Sequence, residues 1–370
     1  MRVGEPAERS RKPLSTGRDE QLWHRSGPPS WGACIASIAR YGHDISCPST
    51  DDFNQRTELM SHSYSKSHNG VQLDLSGIIP PMVTAFDPET EELDEDLIRA
   101  EVEYLISTGV HTICIGGSTG EGQGLSEDET YRLNKAVVDQ AAGRVKVIGG
   151  VIADTTIEAI RKGEAARRAG VSSLQVTPPH YLWVPSVAGL VQHFTRIGDA
   201  VELPILIYNV IPWVDIDVHA MNSIVDDAPW VLGVKQSGGD MHKVADMMAL
   251  LHDKVPITTG IDDLLYPTFA LGVDGAVTCM TAVFPRETSE LHAAVQAGDH
   301  DRALAMHRRL LPVWRSIEGP NMTANAKYAL SLLGRNNGVS RSPILAPDEG
   351  RRSRIREALK SARLLEPAGV

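Results

Sequence analysis

The chain has 370 residues, of which 42% are hydrophobic and 22% charged, a composition typical of a globular protein with one large or two smaller domains. Its formal net charge of −11 argues against a nucleic-acid-binding surface, and its apolar runs are too short to span a membrane. The four cysteines form no C-x-x-C pair and no H-E-x-x-H motif occurs, so a disulfide framework and a metal site are both disfavoured. We therefore expect a cytoplasmic, metal-free protein.

Residues 1–76 differ from the rest of the chain. They are polar, rich in turn-forming residues and balanced in charge, with nine basic and nine acidic residues, and they lack the apolar stretch of a secretory signal. Such a composition favours disorder or loose docking over a packed core. We interpret this segment as a largely disordered N-terminal extension, although a translation start placed too far upstream would give the same pattern.

From residue 77, short apolar runs alternate with longer segments of helical spacing, such as DEDLIRAEVEYLIST and HKVADMMALLHD. Ser126 and Glu129 form the capping-box signature of a helix start. The eight apolar runs predict strands, which are GIIPPMVTAF, HTICIGG, VKVIGGVI, SSLQVTP, PILIYN, WVLGVKQ, PITTGI and DGAVTCM.

The alternation of these runs with helices indicates parallel strands covered on both faces. Eight such units over residues 77–284 predict a (β/α)8 TIM barrel, with a doubly wound sheet as the rival architecture. After residue 285 the strand patterns stop, and the remaining segments predict a helical C-terminal region over 285–370.

The residues that follow the predicted strands are the candidates for chemistry, because barrel enzymes build their sites at the carboxyl ends of strands. The motif GGSTGEG follows the second strand, PPHYLW the fourth and YNVIPW the fifth, and Lys235 ends the sixth. No cluster of aspartate or histidine suited to metal or triad chemistry joins them.

Lys235 ends an apolar run, where an unpaired ammonium group is costly to bury. It either pairs with an acid, faces water at the rim, or supplies an amine. Desolvation favours the neutral amine of a lysine, which can attack the carbonyl of a 2-oxo acid. Tyr208, at the neighbouring strand end, is either an aromatic lid on the core or a proton relay.

The loop GGSTGEG lacks the G-K-[ST] sequence of a P-loop and fits no G-x-G-x-x-G frame. It is either a tight turn or an anion nest in which backbone N–H groups and the hydroxyls of Ser118 and Thr119 bind a carboxylate. Tyr181 alone says little, because PPHYLW is equally compatible with a plain loop.

Taken together and in this order, GGSTGEG, VTPPHY, YNVIP and GVKQS resemble the dihydrodipicolinate synthase / N-acetylneuraminate lyase family of class I pyruvate aldolases. The resemblance covers roughly residues 77–350 and excludes 1–76. It implies a (β/α)8 barrel and a lysine Schiff base, without a metal or nucleotide cofactor. It also implies pyruvate or a related 2-oxo acid as substrate, an aldehyde or sugar acid as its partner, and a homo-oligomer, either a dimer or a tetramer.

Residue by residue, the resemblance assigns Lys235 to the Schiff base and Tyr208 to the proton relay. It assigns Gly117, Ser118 and Thr119 to the loop that binds the carboxylate of the 2-oxo acid.

Other positions of the resemblance concern the rest of the pocket. Tyr181 matches a tyrosine that the family inserts from a neighbouring subunit, and Val277 lies where a backbone carbonyl lines the pocket. The lysine-pathway synthases keep an arginine shortly after the relay tyrosine to hold the aldehyde's carboxylate, but no arginine follows Tyr208 in the predicted barrel. Trp213 stands near that position and His180 flanks Tyr181, so we expect both to line the site of the second substrate.

Three functions remain open. The first is a lyase that makes or breaks a C–C bond through the imine. The second is a hydro-lyase, or dehydratase, that acts on a deoxy sugar acid by the same imine chemistry. The third is a non-catalytic barrel that binds a 2-oxo acid as a sensor. Neither nucleic acid nor a membrane is expected as a partner.

Overall fold

A computed structural model describes residues 64–365. Their eight strands form one parallel sheet in the order β1-β8-β7-β6-β5-β4-β3-β2. The strands are β1 (Gly77–Ile78), β2 (Thr112–Ile115), β3 (Lys146–Val151), β4 (Ser173–Val176), β5 (Ile205–Asn209), β6 (Val231–Gln236), β7 (Ile257–Thr259) and β8 (Gly275–Ala276).

The segment after β1 completes the barrel by pairing with β2. The amide of Met82 donates to the carbonyl of Cys114 at 2.8 Å, and the amide of Cys114 donates to the carbonyl of Pro80 at 2.9 Å. The predicted (β/α)8 barrel is confirmed, and the doubly wound sheet is excluded.

Helices follow the strands around the outside of the barrel, and four more form the predicted C-terminal region. The capping box at Ser126 and Glu129 is confirmed. No helix within residues 64–365 is long and apolar enough to cross a membrane. The barrel helices are α1 (Glu95–Ser107), α2 (Glu127–Ala141), α3 (Thr156–Ala169), α4 (Val187–Val201), α5 (Val218–Asp227), α6 (Met241–Leu250), α7 (Leu265–Ala270) and α8 (Cys279–Val283). The C-terminal helices are α9 (Pro285–Gln296), α10 (His300–Ile317), α11 (Met322–Leu332) and α12 (Glu349–Ser361).

Apolar side chains form two clusters, one on each face of the barrel wall. The larger cluster fills the space between the strands and the surrounding helices. The smaller one lies inside the barrel, as expected when strand residues alternate between the two faces. Its buried members are Leu75, Ile79, Cys114, Ile148, Leu206 and Val277.

Strand β6 contains one additional residue relative to β5, its pairing partner. Ile205 pairs with Val231, but Leu206 pairs with Gly233, so the register shifts by one residue between these pairs. Beyond the shift, Tyr208 lies directly opposite Lys235.

Residues 64–76 pack against the barrel. The amide of Ser65 donates to the carbonyl of Asp253 at 2.8 Å, and Lys66 Nζ donates to the carbonyl of Ala228 at 2.8 Å. Leu75 is fully buried in the inner cluster. Of the predicted extension, residues 1–63 lie outside the described part of the chain. The expectation of loose attachment does not hold for residues 64–76.

Truncating Leu75 is therefore expected to destabilise the barrel. Leu75→Ala should lower the free energy of unfolding by about 2–5 kcal/mol, because it leaves a cavity among the inner side chains. Val71→Ala, at an exposed position of the same segment, is the matched control and should change stability by less than about 0.5 kcal/mol. Chemical denaturation measures both variants, and equal stabilities would show that residues 64–76 contribute little to the fold.

Candidate active site

The two residues predicted for covalent chemistry and proton relay lie side by side. Lys235 and Tyr208 are paired residues of β6 and β5, and they are only 3% and 5% exposed. The Nζ atom of Lys235 lies 3.8 Å from the centroid of the Tyr208 ring, a cation–π distance. Among the described residues, no hydrogen bond or ion pair involves this nitrogen, so its lone pair or proton is not committed to a protein group.

The loop after β2 lies against Tyr208. It begins with the 3-10 turn Ser118–Gly120, and Thr119 is buried within it. The hydroxyl of Tyr208 donates to Ser118 Oγ at 3.2 Å, which connects the phenol to the loop predicted to bind a carboxylate. Lys235, Tyr208 and Ser118 therefore form one continuous cluster.

We did not predict Gln175, which contacts Cys114 of the inner cluster. Gln175 of β4 is fully buried, its Oε1 accepts from the Cys114 thiol at 3.6 Å, and its Nε2 has no partner among the described residues. A Cβ atom on Gly117 would lie 3.2 Å from Nε2, so the absent side chain leaves room for the amide. Burial raises the pKa of Cys114 to about 11, although the charge of Lys235 opposes the shift. The sequence signal was a single amide in an otherwise apolar run.

Asp262, which follows β7, was also missed. Burial raises its pKa to about 7, against the lowering effects of hydrogen bonds from the Met280 N–H and the Thr278 hydroxyl and of the charge of Lys235. The Met280 N–H lies 2.6 Å from Asp262 Oδ1. A second ionisable group thus lies within electrostatic range of the lysine, and its position at a strand end was the signal available in the sequence.

The rim residues form a separate group. Trp213 Nε1 donates to the carbonyl of His180 at 2.8 Å, and the His180 ring lies 3.2 Å from the Asp154 carboxylate. Asp154 Oδ1 also accepts from the backbone N–H of Tyr181 at 2.9 Å. The side chains of Tyr181 and Trp213 are 70% and 63% exposed, and in the described part of the chain no hydrogen bond or ring contact joins them to Lys235.

The remaining predicted residue is Val277, which lies in the inner cluster just after β8. Its amide donates to the carbonyl of Thr259 at 2.8 Å. Within residues 64–365, no three His, Cys, Asp or Glu side chains are grouped so as to hold a metal ion.

Comparison with known proteins agrees with this arrangement. Residues 74–362 match the model of the dihydrodipicolinate synthetase family. The chain is 36% identical over 292 residues to the 4-hydroxy-tetrahydrodipicolinate synthase of Sorangium cellulosum, an alignment that covers 78% of this chain and 96% of that protein.

Solved structures give the same result. A dihydrodipicolinate synthase from Bacillus anthracis superimposes with a TM-score of 0.73 at 30% identity and covers 78% of this chain and 99% of its own. A chloride-inhibited dihydrodipicolinate synthase from Acinetobacter baumannii, complexed with pyruvate, superimposes with a TM-score of 0.73 at 28% identity and covers 79% and 100%. The chain therefore belongs to the dihydrodipicolinate synthetase family of lyases.

Proposed function

We propose that the chain is a class I aldolase or synthase that makes or cleaves a C–C bond through an imine between Lys235 and pyruvate or a related 2-oxo acid. The observation that carries this proposal is the buried lysine nitrogen, which forms no ion pair with a carboxylate among the described residues and lies over the ring of Tyr208. A structural cation at this depth would need a paired acid, whereas a nucleophile needs a free amine.

In the proposed reaction, the neutral amine attacks the ketone carbon, and the carbonyl oxygen leaves as water to give the protonated imine. Loss of a proton from the neighbouring carbon gives the enamine, which attacks an aldehyde carbon. Hydrolysis of the new imine releases the product and regenerates the amine. The reverse sequence cleaves the bond.

The neighbouring residues supply the proton transfers and the binding of the carboxylate. Tyr208, hydrogen-bonded to Ser118, is placed to carry protons to and from the oxygen that leaves as water. The hydroxyls of Ser118 and Thr119 and the backbone of Gly117 hold the carboxylate of the 2-oxo acid, and the carbonyl of Val277 lines the pocket. The pyruvate complex of the Acinetobacter baumannii relative supports this choice of substrate. The chemistry needs no metal or nucleotide.

One of the proposed features depends on an oligomer. Tyr181 is exposed in the single chain, and we propose that it completes the site of a neighbouring subunit in a dimer or tetramer. A large aromatic ring with a polar tip suits such an interface.

Borohydride reduction in the presence of pyruvate tests the proposal. An irreversible mass gain on the peptide that contains Lys235 would support the imine. Reversible binding of pyruvate without this adduct would favour a sensor, and loss of activity in EDTA would favour metal-dependent chemistry.

The second substrate is proposed to be an aldehyde without a carboxylate near its reactive end. The stretch after Tyr208 offers Trp213 and no arginine, and the Trp213 indole is fixed by its hydrogen bond to His180. An indole face binds apolar or neutral groups and gives no ion pair to an anion.

We therefore expect aspartate semialdehyde to be a poorer substrate than neutral alkyl, aromatic or polyol aldehydes. A site that pairs a polar substrate group discriminates by roughly 10⁴-fold or more, and no arginine lies between Tyr208 and Arg286 to form such a pair with a carboxylate. Trp213→Ala should change the ranking of aldehydes by kcat/KM while leaving the trapping of pyruvate nearly unchanged. If aspartate semialdehyde has the highest kcat/KM, then His180 or an arginine of a neighbouring subunit binds its carboxylate instead.

A further inference from the structure

The loop that carries Ser118 and Thr119 is tied to the C-terminal region through one carboxylate. Glu121 is 2% exposed and has a left-handed backbone, with φ of 57°. Its Oε1 accepts from Lys327 Nζ of α11 at 2.8 Å, and its Oε2 accepts from the backbone N–H of Arg341 at 2.9 Å. Both oxygens of one side chain are thus held by groups that lie more than 200 residues further along the chain.

The loop has little freedom to absorb a movement of Glu121. The amide of Glu121 donates to the carbonyl of Ser118 at 3.2 Å, so it closes the 3-10 turn that contains the predicted substrate-binding hydroxyls. The hydroxyl of Thr84 donates to the carbonyl of Gly120 at 2.6 Å. A Cβ atom on Gly122 would lie 1.7 Å from the carbonyl oxygen of Gly116, so only glycine fits at this crossing.

The ion pair between Glu121 and Lys327 is buried, so water cannot solvate either charge if the other is removed. Lys327 is buried, its Nζ also donates to the carbonyl of Val339 at 2.5 Å, and it lies 4.9 Å from the centroid of the Phe86 ring. Loss of one partner from a buried pair leaves an uncompensated charge, which is more costly than the pair itself is stabilising. We therefore expect the loop to move when Glu121 loses its charge.

From these contacts we infer that Glu121 is a positioning residue, through which the C-terminal helices set the geometry of Ser118 and Thr119 for the carboxylate of the 2-oxo acid. Glu121 does not touch substrate. Loss of Glu121 should mainly weaken pyruvate binding, because it displaces the hydroxyls that hold the carboxylate. The covalent step at Lys235 should be affected less. The inference rests on the proposed function, since it concerns the affinity for pyruvate.

Glu121→Gln tests the inference because it removes the charge and keeps the shape. Glu101→Gln is the matched control, since Glu101 of α1 forms another buried ion pair with the C-terminal region, through Arg335, and lies outside the loop. The measurement is the pyruvate concentration that gives half the maximal rate of borohydride trapping, together with KM and kcat. We expect this concentration to rise roughly tenfold or more in Glu121→Gln and less than about twofold in Glu101→Gln.

A double variant separates a shared contact from independent effects. If Glu121 acts through Lys327, then Glu121→Gln with Lys327→Met should raise the half-saturating concentration no more than the more impaired single variant does. If Glu121→Gln does not fold, Lys327→Arg, which keeps the charge and alters the geometry, is measured instead and should show a smaller rise in the same direction.

Two outcomes are distinct. A wild-type protein that is not trapped by borohydride contradicts the proposed function. The positioning role alone is overturned if the wild type is trapped but Glu121→Gln has the same half-saturating pyruvate concentration as Glu101→Gln. Where Lys327→Arg replaces Glu121→Gln, the role is overturned if Lys327→Arg has the same half-saturating concentration as the wild type.

Discussion

Lys235→Ala is expected to abolish both turnover and the borohydride-trapped adduct with pyruvate. The variant removes the nucleophile, and in the part of the chain that the structure describes no other amine lies against the Tyr208 ring. Folding should survive, because within residues 64–365 the Lys235 amine forms no ion pair with a carboxylate, so that its removal breaks no buried salt bridge. Intact-protein mass spectrometry after reduction, together with steady-state rates, measures the loss.

Lys235→Arg is the stricter control. It keeps a cation that can lie over the Tyr208 ring, but the guanidinium stays protonated and cannot form the imine. If Lys235→Arg retained the adduct or substantial turnover, the covalent role would belong to another residue. If both variants lose activity but keep the thermal stability of the wild type, the loss is due to the missing amine and not to unfolding.

Tyr208→Phe should lower turnover by roughly 10²–10⁴-fold, the range typical of losing a positioned proton donor and acceptor. The phenylalanine keeps the ring below Lys235 and deletes only the hydroxyl that donates to Ser118. The defect should appear in kcat and in the rate of trapping, with a smaller effect on KM for pyruvate.

Ser118→Ala is the companion variant to Tyr208→Phe. It leaves the phenol in place and removes its partner, so its effect on kcat should be smaller and its effect on KM larger. Turnover of Tyr208→Phe within about threefold of the wild type would contradict the relay, because positioned proton transfer contributes far more than that.

Local patterns predicted the barrel well. Each strand is an apolar run bounded by loops, and most barrel helices have their own apolar spacing and a capping side chain, so no distant contact was needed to place them. The juxtaposition of Lys235 and Tyr208 was predictable for the same reason. Residues at the carboxyl ends of neighbouring parallel strands meet at one rim, whatever the rest of the chain does.

Contacts between distant segments could not be predicted. Glu121 was visible as a letter of GGSTGEG, but its partner Lys327 lies 206 positions away in a helix whose pattern indicates only burial. The docking of residues 64–76 was missed because their composition is polar, although Leu75 enters the barrel. Asp262 follows β7, the neighbour of the strand that carries Lys235, but no motif marked it as part of the site.

The register shift between β5 and β6 decides which side of the barrel wall Lys235 faces. Val231 lies in the outer cluster, so strict alternation along β6 would send residues 233 and 235 to the helix side as well. The additional residue reverses that parity and turns Lys235 towards Tyr208. The interior position of the amine thus depends on the irregular pairing of β6 as well as on its sequence. If β6 kept its length but paired with β5 residue for residue from Val231 onward, the chain would keep every letter of GVKQS and still present its lysine to the helix side of the wall.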